Sequence, residues 1–137
     1  QGYLRSYYNR DGNEINNGFS FEHSFTTNLK SLRTGAASEL CIQAAERGVV
    51  REFGKQELLA LYAQSPEIES FGRTLLEHLL IEQEEQATFF RLYSPAERYQ
   101  YLVAHHPRLL QRVSLSQLSS YLGVSRETLS RIRKKRR

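Results

Sequence analysis

Residues 120–137 read SYLGVSRETLSRIRKKRR. Seven of these eighteen residues are arginine or lysine, and only Glu127 is acidic. The stretch is nevertheless not a uniform run of charge. Gly123 supplies a turn, Ser125 a helix N-cap, and Leu129 and Ile132 follow at helical spacing. Just upstream, Ser114-Leu115-Ser116-Gln117 has the reciprocal pattern of a capped helix start. Leu115, Leu118 and Leu122, with Tyr121 alongside, give that helix one apolar stripe. Short helices joined by a turn at Gly123 predict a helix-turn-helix.

In such a unit the second helix enters the DNA major groove, and residues near its start reach base edges. If Leu129 and Ile132 face the core, Arg126, Glu127 and Arg131 share the outer face. Those types suit base reading, because arginine donates bidentately to guanine O6 and N7 and glutamate accepts from cytosine N4. A carboxylate among phosphates is repelled unless it gains a specific donor. Glu127 therefore speaks for specificity rather than affinity, alongside the common role of an acid in the first turn, which is to complement the helix dipole. Ser125 and Thr128 at the helix start, and Ser116 on the preceding helix, suit phosphate contacts that fix register. Lys134 and Lys135, within the run Arg133–Arg137, add salt-sensitive attraction to phosphates. The alternative for that run is a solvated tail.

The charge of the whole chain agrees with a polyanion partner. From His105 onward nine basic residues stand against Glu127 alone, while the chain as a whole carries only +4, so residues 1–104 are net acidic. At 137 residues the chain fits one domain or two small ones. No run approaches the ~20 apolar residues of a membrane helix, and the start lacks the pattern of a secretory signal. The chain does not open with methionine, which fits a processed or trimmed product. Cys41 is the single cysteine, which excludes an internal disulfide and suits a reducing, cytoplasmic setting. Within Leu40-Cys41-Ile42 it reads as a small buried apolar residue. No Ser-His-Asp ordering, metal quartet or glycine-rich phosphate loop is present, which argues against an enzyme and implies no cofactor. His105 and His106 are adjacent, so on a helix they point about 100° apart. With His23 and His78 isolated, no metal site is expected.

Along the chain, YLRSYY (residues 3–8) and EINNGFSFEHSF (residues 14–25) flank Asp11-Gly12, which predicts a β-hairpin. Gly35 punctuates a loop with a turn of helix around Leu29–Leu32. Residues 39–50 read as two more strands around Glu46-Arg47-Gly48. Lys55–Ala63 suits a short amphipathic helix. Ser65-Pro66 then opens a helix running to about Tyr93, with serine as N-cap and proline at the first position. Its length is about 40 Å at 1.5 Å per residue, more than a small domain needs. Ile68, Phe71, Leu75 and Leu79 form a stripe that suits a homodimer interface. Glu82, Glu84 and Glu85 read as a solvated face. Ser94-Pro95-Ala96-Glu97 is a capping box that starts another helix, ended by His105-His106-Pro107, and Leu109–Val113 reads as a connector.

The segment GVSRETLSRI resembles the recognition segment of the Crp/Fnr family of bacterial transcription regulators, relatives of the cyclic AMP receptor protein. GYLRSYYNRDGNEINNGFSFEHSF is similar to the middle strands of that family's cyclic-nucleotide-binding-type β-roll. SPEIESFGRTLLEHLLIEQEEQ is similar to its long dimer helix. SPAERYQYLVAHHPRLLQRVSLSQLSSYLGVSRETLSRIRKK resembles the DNA-binding end of a branch common in Bacteroidetes. The resemblance implies an α+β chain in three parts. Residues 1–64 would be a partial β-roll, incomplete at its N-terminal side, with a following short helix. Residues 65–93 would be the dimerisation helix, and residues 94–137 the helix-turn-helix domain. By position it assigns Arg126, Glu127 and Arg131 to bases and Ser125 and Thr128 to phosphates. The implied partners are double-stranded DNA and a second copy, with RNA polymerase a further candidate and no membrane.

The chain departs from the family pattern where nucleotide-binding members hold their ligand. Phe25-Thr26-Thr27 stands where Gly-Glu is expected, and Ala37-Ser38-Glu39 where an arginine would grip the phosphate. Glu39 would repel that phosphate, and Arg33 is the one conceivable substitute. Cyclic AMP binding is therefore not expected, and the sensor reads as degenerate. The competing reading is a regulator whose β-roll still binds an unidentified small effector. In place of the family's terminal β-hairpin wing stands the basic run, which would take over its backbone contacts.

Overall fold

At Asp11-Gly12 both residues of a two-residue loop have positive φ, 53° and 83°. This is the conformation that a tight hairpin requires and that Asp-Gly tolerates. The structure, a computed structural model, describes residues 2–134. The loop joins strand β1 (Leu4–Arg10) to β2 (Asn13–Ser20), and β3 (Leu40–Ala44) pairs antiparallel on the other side of β1, giving the order β2-β1-β3. The register slips between Ser6 and Tyr7, where Ser6 faces Gly18 and Tyr7 faces Asn16. Asn17 is the extra residue of this bulge. The slip puts Phe19 and Asn16 on the same side of β2 in spite of their odd spacing.

Seven α-helices complete the described residues, so the fold is α+β. They are α1 (Leu29–Thr34), α2 (Lys55–Gln64), α3 (Pro66–Leu92), α4 (Pro95–His105), α5 (Pro107–Arg112), α6 (Leu115–Leu122) and α7 (Arg126–Lys134). Their starts follow the capping chemistry. Ser65 accepts from the N–H of Ile68, and Ser94 and Ser114 close reciprocal boxes with Glu97 and Gln117. Among the described residues no helix is long and apolar enough to cross a membrane.

Three expectations need correction. Residues 39–50 yield one strand, not two. After Ala44 the chain bends, and the Glu46 side chain turns to Arg112 rather than into a ladder. Cys41 is exposed rather than buried, on an edge strand where only Leu40 is even partly covered. Residues 107–112 are a helix, not a connector. Pro107 ends α4 and also occupies the first turn of α5, where its missing N–H costs nothing.

Contacts divide the chain into two compact units that are not consecutive in sequence. One comprises residues up to Val49 together with those from Ser94 on, and the other is Val50–Tyr93. In the first, Tyr99, Leu102, Leu109, Val113, Leu118, Leu122 and Leu129 form the core beneath α4–α7, with Leu122 and Leu129 wholly enclosed at 0% exposure. The sheet belongs to the same unit and is docked on α6. β2 has β1 on one side only, and on its open edge the Ser120 hydroxyl donates to the Glu14 carbonyl and accepts from the Asn16 N–H, each at 3.0 Å. Covering an edge in this way removes a template for unwanted pairing. Phe19 adds an edge-to-face contact with Tyr121 at 5.4 Å.

In the second unit α2 and α3 are joined through Ser65, which ends one helix and caps the next. Tyr62 lies directly over Gly72, where any side chain on α3 would collide with its ring and hydroxyl. Of the stripe named from the sequence, Ile68 and Phe71 are exposed while Leu75 and Leu79 are half-buried. Leu76, Leu80 and Ile81 are exposed as well.

Candidate nucleic-acid interface

The helix pair α6–α7 is built from the turn outward. Gly123, at φ 72°, takes the left-handed conformation that ends α6 and donates to the Ser119 and Ser120 carbonyls. Val124 N–H bonds the Ser119 carbonyl at 3.0 Å. Arg98, from α4, donates to the Leu122 carbonyl at 3.2 Å and so satisfies another of the last acceptors of α6. After this turn Ser125 caps α7, accepting from the Thr128 N–H at 3.1 Å. The wholly buried Leu129 and the half-buried Ile132 then anchor the helix against the core, as the spacing predicts.

With those two residues turned inward, Arg126, Glu127 and Arg131 are all exposed, and Thr128 is partly so. The polar atoms at the start of α7 are coupled. Ser125 Oγ lies 3.1 Å from Thr128 Oγ1, which also accepts from Arg131 Nη2 at 3.4 Å. Two hydroxyls and a guanidinium thus form one hydrogen-bonded set at the first turn of the helix. The Glu127 carboxyl is held below its usual range, first by bonding to its own backbone N–H, then by the Ser125 hydroxyl, with Arg126 and Arg131 adding positive charge. Glu127 is thus a stable acceptor between two cations, and it complements the helix dipole at the same time. Ser116 is exposed on α6, and its carbonyl accepts from the Ser119 hydroxyl. Lys134 is exposed at the last described turn of α7, whereas Lys135 lies outside the described residues.

Arg112 does not belong to the exposed basic surface that its count from the sequence suggests. Its guanidinium is gripped by two carboxylates, with Nη1 and Nη2 on Glu22 at 2.8 and 3.0 Å and Nε and Nη2 on Glu46 at 3.1 and 2.6 Å. The rings of Tyr3 and Phe21 lie 5.3 and 5.1 Å from it. The Glu22 carboxyl is pulled down to about 2, chiefly by its bonds to Arg112, and Glu46 shifts the same way for the same reason. The Tyr3 hydroxyl touches both the Arg112 carbonyl, at 3.5 Å, and Gln117 Oε1, at 3.3 Å. This cluster sits at the amino end of α6 and was not visible in the sequence, because its acids come from distant loops.

Among the described residues no group of three or more His, Cys, Asp or Glu is placed to hold a metal ion. No family model matches the chain, and no curated protein matches it.

Proposed function

We propose that the protein is a sequence-specific DNA-binding transcription regulator that acts as a homodimer, with α6 and α7 as a helix-turn-helix and α7 as its reading helix. What supports this most is the division of α7 into a fixed and a presented side. Leu129 is wholly enclosed, while Arg126, Glu127 and Arg131 are exposed, with Arg131 bonded to the Thr128 hydroxyl. A helix anchored on one face, with donors and one acceptor on the other, suits base edges in the major groove. Ser125, Thr128 and Ser116 would contact phosphates, and Lys134 and Lys135 would add attraction independent of sequence.

The dimer rests on α3. Phe71 at 58% and Leu80 at 60% exposure are large apolar residues that a helix in water gains by covering. A second copy of the same helix would cover them. Two copies of α7 about 34 Å apart would meet successive major grooves, so the site would be an inverted repeat. The β-sheet would be the remnant of a sensor that does not take cyclic AMP.

The test is titration of labelled duplex DNA with wild-type protein and with Arg126→Ala and Arg131→Ala, over a range of salt. Each variant should lose about 1–3 kcal/mol on the preferred sequence and discriminate less at one base position. Equal loss on every sequence would reduce both residues to phosphate contacts and remove the base-reading role.

A further inference from the structure

Resting on the DNA-binding reading, we propose that the Glu22–Arg112–Glu46 cluster is an autoinhibitory contact, in which the docked sheet lowers the affinity of its own helical unit for DNA. Arg112 is two residues from the Ser114 N-cap of α6, in a segment whose other charges are nearly all positive. Alone, it would add a phosphate-binding cation there. Instead two carboxylates take all three of its nitrogens, so the cluster carries one negative charge more than positive. The Tyr3 hydroxyl ties the same cluster to Gln117, the residue that closes the α6 capping box. Excess negative charge is therefore held at the amino end of α6 by residues of the loops that follow β2 and β3, not of the helices.

The docked sheet also carries a cost that a purely structural contact would be expected to avoid. Asn16 is 6% exposed, and its Oδ1 has no protein partner. Its own N–H is bonded to Ser120, in the contact between β2 and α6. The sheet is thus held on α6 by polar contacts at Ser120, and its flanking loops on the end of α5 by Arg112, with an unsatisfied acceptor at Asn16.

The experiment compares wild type, Glu22→Gln/Glu46→Gln and Arg112→Ala on two duplexes, one bearing the preferred site and one scrambled, at low and moderate salt. Circular dichroism of each variant establishes that the helices are retained. Masking of charge predicts opposite signs. The double glutamine variant should bind both duplexes on the order of tenfold tighter at low salt, with a salt slope steeper by about one phosphate contact. Arg112→Ala leaves two uncompensated carboxylates and should bind both more weakly. A contact that merely braces the fold predicts the same sign for both variants, and that result, or no change in the double variant, overturns the proposal. The scrambled duplex separates this from the DNA-site reading. Tighter binding of both duplexes without discrimination would support the contact and refute sequence-specific reading, whereas discrimination by the wild type with no tightening in the double variant would do the reverse.

Discussion

At the scale of single residues, local chemistry was legible and distant chemistry was not. Ser65, Ser94, Ser114 and Ser125 cap helices in the structure because a cap needs only a hydroxyl and an N–H three residues on. Arg112 could not be read in the same way, since its partners lie 66 and 90 positions away. Glu22 carries a testable consequence. Its carboxyl falls from an ordinary 4.5 to about 2 in the folded chain, so its bond to Arg112 stabilises the fold at neutral pH. That contribution is complete above 4.5 and is lost as pH falls toward 2. Glu46 and Glu97 shift in the same direction and add to the loss. Thermal unfolding followed across this window should show the midpoint dropping with acid, and Glu22→Gln should flatten the drop. An equally steep drop in the variant would remove Glu22 from the list of causes. Glu127 belongs at this scale too. Glu127→Ala should tighten binding to random DNA while reducing preference for one sequence, and binding titrations on matched and scrambled duplexes read both.

At the scale of elements, periodicity located the long helix α3 and the pair α6–α7, because apolar stripes and caps agree there. It failed where one residue served two elements. Pro107 reads as the stop of α4, but it is equally fit to start α5. It failed again at β3, where alternation suggested a buried thiol but the strand lies on an edge. The packing of α7 rests on residues with no exposure at all, so Leu122→Ala or Leu129→Ala should cost about 2–5 kcal/mol in chemical denaturation. A cost below ~1 kcal/mol would mean that α7 is not anchored in this core. In the second unit, Gly72→Ala forces Tyr62 off α3, and a lowered unfolding midpoint that Tyr62→Ala restores would confirm the close approach.

At the scale of the whole molecule, the sheet and the helices from Ser94 onward cluster as one unit although they are far apart in sequence. Nothing local in the sequence announces this, because Ser120, Tyr3 and Phe19 meet partners about a hundred residues away. The proposed dimer is also a property of this scale. Replacing Phe71 and Leu80 with aspartate should shift sedimentation from dimer to monomer and weaken DNA binding, because half the phosphate contacts are then lost. The most direct measurement is selection of bound duplexes from a random library by the purified wild-type chain, followed by sequencing. The prediction is one enriched motif arranged as an inverted repeat, with half-sites about one helical turn apart. Recovery of the library without enrichment would contradict the reading of α7 as a sequence-specific helix.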